Sequence, residues 1–405
     1  IILDPVGCHA GAYRLSVVLD LIKTGSISLL RGNQSEVKAV YDALSSDNKD
    51  EISPLGKGVD GAQVADSAII AYRLARLINC PVVATGEEDY VSDGTRVFAV
   101  PHGHSIMTAV TGTGCLLGAV LAAFFGIYDS FKDSLSTGEF LAYALAYYGL
   151  AGESAVKVSG IKPGSFSVAF IDALYTLDDE VLVSENRVQS VVVPDQLQVY
   201  FVCGTQDTEL NKKWLLEIVE DACRGGITCF QFREKGDGTL EGQQKLELAQ
   251  QLQHICAKYH VLYIINDDVE LAVAVNADGV HVGQDDMCLE DVRNIVGHKV
   301  VGISIHSIEE LHKTDVLYAD CVGVGPMYTT SSKPDAQEPC GPERTAELQA
   351  EGLTLPCVGI GGITIDNAMA VLRAGACGVA VISAIAHAEK PYEAARQFKE
   401  LASSL

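Results

Sequence analysis

The chain has 405 residues, 48% of them hydrophobic and 20% charged, a globular balance at a length that exceeds one ordinary domain. Its 53 acidic residues against 29 basic ones give a net charge of −24 at pH 7, which argues against nucleic acid or an anionic membrane as the main partner, because both repel such a surface. No apolar stretch reaches the ~20 residues of a membrane span and no signal peptide is evident. The 12 cysteines form no CxxC pair, so neither zinc nor a disulfide framework is expected, and a soluble cytoplasmic protein with reduced, mostly buried thiols is.

Residues 1–178 alternate short apolar runs with helix-period segments. IILDP and SISLLRG read as strands, the first as a strand cut off from whatever preceded it, with a helix over 11–23 between them. A helix over about 61–79 leads into the strand PVVATGE, and DYVSDGTRVFAV reads as a hairpin turning on Asp93-Gly94. Gly112 and Gly114 then precede a strongly apolar helix beginning near Cys115. Backbone N–H groups and the positive dipole end there make either an anion site or no more than a tight turn. SFSVAFIDALYTL reads as a closing helix, and 179–196, mixing acids, Ser, Asn and Pro, as a linker with a short strand near 191–193.

Four motifs in this half carry a resemblance: DPVG from Asp4, RGNQSE from Arg31, ATGEEDYVSDG from Ala84 and VTGTGCLLGA from Val110. Together they resemble hydroxyethylthiazole kinase, of the ribokinase-like α/β superfamily. The resemblance implies phosphorylation of the hydroxyethyl group of 4-methyl-5-(2-hydroxyethyl)thiazole by Mg-ATP. Arg31 and Thr85 would contact ATP, Gly112 would lie against the thiazole, and Glu36 would help hold Mg²⁺. Cys115 stands where most of the superfamily has an Asp base. The family is typically trimeric, so a homo-oligomer is expected. Family kinases carry further sequence before DPVG, including part of the thiazole pocket, so the expectation is an exposed sheet edge and little kinase activity from this chain as it stands. The activity would belong to the full-length protein.

From residue 197 to 405 apolar runs recur regularly: VYFVCG, CFQFRE, LYIIND, GVHVGQ, VVGISIH, CVGVGPM, PCVGIGG and GVAVISAI. Eight strands alternating with helices predict a (β/α)₈ TIM barrel, whose strand ends face one mouth. That rim would carry Gln231, Arg233 and Lys235, then Asn266 and Asp267, Asp286, Ser304, the loop MYTTSSK with Lys333, and the small residues Gly361-Gly362 and Ile382-Ser383. Asp267 and Asp286, on neighbouring strand ends beside amide oxygens, are hard ligands suited to Mg²⁺, the alternative being that they only cap the following helices. Small residues after the last two strands suit a phosphate. His281 reads as a core histidine.

FREK, INDD, VGQDD, GISIH, GPMYTTSSK, GIGGI and AVISAI resemble thiamine phosphate synthase over essentially all of 197–405. The resemblance implies coupling of 4-amino-5-hydroxymethyl-2-methylpyrimidine diphosphate with a thiazole phosphate, releasing diphosphate. Gln231, Arg233, Lys235, Asn266 and Ser304 would bind the pyrimidine diphosphate. Asp267 and Asp286 would hold Mg²⁺, Thr330, Ser332, Gly362, Ile382 and Ser383 would bind the thiazole phosphate, and Lys333 would bridge the two. Ser332 stands where the family usually has Thr. A tautomerase-like or non-catalytic thiazole-binding protein with a degenerate kinase half is the alternative.

Overall fold

The computed structural model describes residues 1–45, 66–132, 134–330, 332 and 337–404. The chain divides into two compact units, Ile1–Val191 and Val192–Leu405.

In the first unit β1 (Ile2–Leu3), β2 (Leu29–Asn33), β3 (Val82–Thr85), β4 (Asp89–Ser92), β5 (Val97–Val100) and β6 (Gln189–Ser190) form one sheet in that order. The first three strands run parallel, and the pairings from β3 to β6 are antiparallel. Successive strand residues point to opposite faces. Leu30, Val82 and Ala84 accordingly pack with Val37, Val40 and Leu74 of the helices Gln34–Ser45 and Ser67–Ile78. Leu29, Val83, Phe98 and Val100 pack with Leu121, Leu141, Leu145 and Phe170 of three other helices, Thr113–Phe125, Thr137–Ser159 and Pro163–Thr176. Both faces are covered, which is why these strands read as continuous apolar runs. The start of the helix expected over 61–79 lies outside the described residues.

The segment expected as a linker is partly built into this unit. Asp178 Oδ1 accepts from Val181 N–H at 3.1 Å and caps a helix, Asp179–Ser184. Beyond it Arg187 N–H donates to His102 Nε2 at 3.1 Å, and β6 pairs with β5, two residues before the anticipated strand. Six helical residues are too few to show a period, and a two-residue strand shows none.

Among the described residues of the second unit, eight parallel strands close into a barrel: β7 (Val199–Cys203), β8 (Cys229–Phe232), β9 (Leu262–Asn266), β10 (Gly279–Val282), β11 (Val300–Ile305), β12 (Cys321–Val324), β13 (Cys357–Ile360) and β14 (Gly378–Val381), the last pairing with the first. The period of two sorts their side chains. Phe201, Phe230, Phe232, Tyr263, Ile265, Val280, Val282, Val301 and Ile303 face outward against the helices. Tyr200, Cys229, Leu262, Ile264, Val300, Cys321, Val358 and Ala380 fill the barrel's interior. Continuing the interior series toward the carboxyl ends meets Gln231, Asn266, His281 and Ser304, all at the wall of one cavity. The lumen is thus apolar at depth and polar at the mouth, where βα loops can collect chemistry.

Among the described residues no helix is long and apolar enough to cross a membrane, and all twelve cysteines are free, ten of them buried or half-buried and Cys115 and Cys288 exposed.

Candidate active site

The mouth of the barrel encloses a cavity of about 550 Å³. Its wall includes Gln231, Arg233, Lys235, Asn266, Asp286, Ser304, Thr330, Ser332, Gly362, Ile382 and Ser383. Residues from seven strand ends are thereby brought together. Lys333 lies outside the described residues.

Asp267 stands just behind this wall. The two acids that follow β9 divide their labour: Asp268 Oδ1 caps the helix Val269–Ala274 through Leu271 N–H at 3.0 Å and its Oδ2 meets Lys245 Nζ at 2.7 Å. Asp267 faces the other way, toward Lys235, held at a φ of 59° with its N–H donating to His281 O at 2.9 Å. A left-handed aspartate costs on the order of 1–3 kcal/mol, strain that clusters where a side chain must be aimed. Lys235 Nζ lies 2.8 Å from Asp267 Oδ2. Burial raises the Asp267 carboxyl above its ordinary range; Lys235 works against this, and the adjacent Asp286 carboxylate adds to it. Lys235 in turn is raised, first by its hydrogen bond to Asp267.

Two neighbouring carboxylates at one rim are the pair that could hold a cation. Asp286 Oδ2 also accepts from Gly283 N–H at 2.7 Å, which fixes the loop after β10. Among the described residues no group of three or more His, Cys, Asp or Glu side chains could hold a metal ion. The donor set fits Mg²⁺, which is bound through one or two carboxylates and completes its octahedron with substrate oxygens and water.

On the opposite wall Gly361 and Gly362 adopt φ of 96° and 64°. The carbonyls of Ile360, Gly361 and Gly362 accept from Met327 N–H, Tyr328 N–H and Asn367 Nδ2 at 2.7, 3.0 and 3.0 Å, tying this turn into the barrel wall. Ser332 Oγ lies 3.5 Å from Ser383 Oγ and Ser332 N–H donates to Thr330 Oγ1 at 3.2 Å, so the hydroxyls of two loops converge.

Several contributors have no sequence signature. Tyr200 OH accepts from Gln231 Nε2 at 3.0 Å. Gln284 Nε2 donates to Ser304 O at 2.7 Å. Glu234, between Arg233 and Lys235, points away and accepts from Thr205 N–H at 2.9 Å and Leu240 N–H at 2.8 Å, anchoring the loop that carries both cations. Most of these contacts join segments distant in sequence, so no local pattern marks them.

In the first unit Arg31, 8% exposed, reaches Asp4 Oδ2 at 3.1 Å and Thr85 Oγ1 at 3.3 Å. Its guanidinium would stand 3.4 Å from a Cβ on Gly114, so it lies against the start of the helix Thr113–Phe125, whose cap is Gly112 at φ 100°. Cys115 is exposed in the first turn of that helix. Glu36 is buried and forms a capping box with Asn33: Asn33 N–H donates to Glu36 Oε2 at 2.8 Å and Glu36 N–H to Asn33 Oδ1 at 2.9 Å, while Gly7 N–H donates to Glu36 Oε1 at 2.7 Å. Both oxygens are engaged by backbone, leaving each a lone pair for a hydrated ion.

Asp89, at the start of β4, accepts from Gly86 N–H at 2.9 Å. Burial raises its carboxyl to about 7, against the lowering effects of the Gly86 N–H and Arg31. A carboxyl whose folded pKa exceeds its unfolded value stabilises the fold fully below about pH 4, and that contribution is lost as pH rises through the folded value of about 7. Asp89→Asn is therefore expected to flatten the fall in melting temperature between pH 5 and pH 8; an unchanged pH dependence would count against the raised carboxyl.

Comparison with known proteins gives the family. Residues 199–385 match the family described as thiamine monophosphate synthase, and residues 1–180 match the hydroxyethylthiazole kinase family. The chain is 50% identical over 209 residues to a thiamine-phosphate synthase of Geobacillus thermodenitrificans, covering 52% of this chain and 93% of that protein. It is 35% identical over 403 residues to the thiamine biosynthesis bifunctional protein ThiM/ThiE of Symbiobacterium thermophilum, covering 98% of this chain and 79% of that protein. A solved hydroxyethylthiazole kinase from Pyrococcus horikoshii is 31% identical, with 47% of this chain and 65% of that chain covered at a TM-score of 0.39. The chain therefore belongs to the bifunctional ThiM/ThiE family of thiamine biosynthesis, a hydroxyethylthiazole kinase unit followed by a thiamine-phosphate synthase barrel.

Proposed function

We propose that the barrel couples 4-amino-5-hydroxymethyl-2-methylpyrimidine diphosphate with 4-methyl-5-(2-phosphoethyl)thiazole to give thiamine phosphate and diphosphate. One observation carries the reading: a single cavity joins a wall bearing Arg233, Lys235 and Asp286, with Asp267 just behind it, to a separate glycine and hydroxyl wall. Such a cavity suits two different anions, which a binder of thiazole phosphate alone would not need.

Gln231, Asn266 and Ser304 hold the pyrimidine, and Arg233 and Lys235 its diphosphate. Asp267 and Asp286 would hold Mg²⁺, which when bound neutralises charge on the departing diphosphate. Thr330, Ser332, Gly362, Ile382 and Ser383 seat the thiazole phosphate, and the resemblance assigns Lys333 to both substrates. The pyrimidine's own amino group delocalises positive charge on its methylene as the C–O bond breaks, and the thiazole nitrogen attacks that carbon. No protein nucleophile is needed, so positioning and charge stabilisation supply the rate.

In the first unit the resemblance assigns Arg31 and Thr85 to ATP, Gly112 to the hydroxyethylthiazole, Glu36 to Mg²⁺ and Cys115 to the place of the base beside the reacting hydroxyl. The kinase product is then the synthase substrate. Free thiols throughout accord with a cytoplasmic protein, and oligomerisation through the kinase units follows the resemblance.

With both barrel substrates and Mg²⁺ present, diphosphate and thiamine phosphate are expected in equal amounts. Diphosphate release from the pyrimidine substrate alone at the same rate, or no release at all, would refute the coupling.

A further inference from the structure

His281 lies on the lumen side of β10, 8% exposed and at the cavity wall. Its Nε2 is 3.0 Å from Ser304 Oγ on β11. The ring occupies a slot made by two glycines. A Cβ on Gly302, its register partner, would collide with the imidazole, and one on Gly323 of β12 would stand 3.2 Å from Cε1 and 3.4 Å from Nε2. Tyr200 closes another side edge-on, its centroid 6.5 Å away. Interiors are close-packed, so two missing side chains at one level of a lumen are space kept for this ring.

The residue it touches is the one that faces substrate. Ser304 is exposed to the cavity, and its carbonyl accepts from Gln284, which follows the same strand β10. Both fasteners of Ser304 therefore come from one neighbouring segment. A serine hydroxyl otherwise rotates among staggered positions, and a fixed imidazole nitrogen selects one of them.

We infer that His281 is a positioning residue for the coupling reaction, aiming the Ser304 hydroxyl at the pyrimidine substrate. The inference rests on the proposed assignment of Ser304 to that substrate. An imidazole that merely fills the core would affect stability and leave turnover alone.

The test is steady-state diphosphate release with both substrates and Mg²⁺. His281→Leu, of similar volume, is expected to lower kcat on the order of 10²-fold with KM for the thiazole phosphate little changed. His281→Gln, whose amide can reach the position of Nε2, should recover most of that loss. Ser304→Ala combined with His281→Leu should lose no more than Ser304→Ala alone, because the two act as one unit. Gly302→Ala, which pushes the ring aside without removing it, should reproduce the kcat loss and decides the matter if the leucine variant does not fold. Wild-type kcat in a folded His281→Leu or Gly302→Ala variant, or additive losses in the double variant, would overturn the inference while leaving the synthase reading intact. Absence of turnover in the unaltered chain would overturn both.

Discussion

Asp286→Asn is expected to lower diphosphate release on the order of 10²–10³-fold while the protein melts close to the unaltered chain. The substitution keeps an oxygen for Gly283 N–H, so the loop after β10 retains the 2.7 Å hydrogen bond that orders it. What it removes is one of two charges that meet beside Lys235. If those carboxylates only braced loops, an amide would serve equally well. Chelation should have the same effect as the substitution: EDTA is expected to stop release and Mg²⁺ to restore it. Undiminished turnover in Asp286→Asn, with the divalent ion still required, would remove Asp286 from the cation seat.

Gly362→Ala should raise KM for the thiazole phosphate on the order of 10²-fold and leave KM for the pyrimidine diphosphate nearly unchanged. An alanine at φ 64° sits in a region costing about 1–2 kcal/mol for an L residue. Its Cβ would also stand 2.5 Å from Thr329 O and 2.8 Å from Tyr328 Cβ, so the loop bearing Thr330 and Ser332 must shift. Gly352→Ala is the control. That glycine has φ 99° and nothing within 4 Å of an added Cβ, so it shares the backbone strain without touching the cavity. Equal KM changes in the two variants would show that strain alone, not the phosphate seat, is at work.

The barrel was legible because its strands announce themselves locally. Apolar runs such as LYIIND and GVHVGQ end in polar residues, and the alternation of two that puts Ile265 outward puts Asn266 at the rim. Once closure is granted, residues distant in sequence fall on one mouth, as Gln231, Ser304 and Ser383 do. Asp267 was named from its place at the end of LYIIND; why its neighbour Asp268 turns elsewhere was not legible. Asp267 takes a left-handed backbone and meets Lys235, whereas Asp268 caps Leu271 and meets Lys245, and neither ion pair has a local pattern. His281 was readable as buried, and it is; its contact with Ser304 depends on the register between β10 and β11 and on the glycines beside it. The segment 179–196 read as a linker because its helix is a single short turn pair and its strand gains definition only from β5. In the first unit the motifs located Arg31 and Thr85, whereas the pairing of Arg31 with Asp4 joins positions 27 apart and has no local pattern.

One rim of the barrel is proposed to hold two anionic reactants around a divalent ion. A crystal structure with the pyrimidine diphosphate, Mg²⁺ and the thiazole phosphate tests it most directly. The prediction is that the metal bridges the diphosphate to Asp267 and Asp286 while the second phosphate lies against Gly362 and Ser383. A metal bound elsewhere, or both phosphates stacked on a single wall, would contradict it.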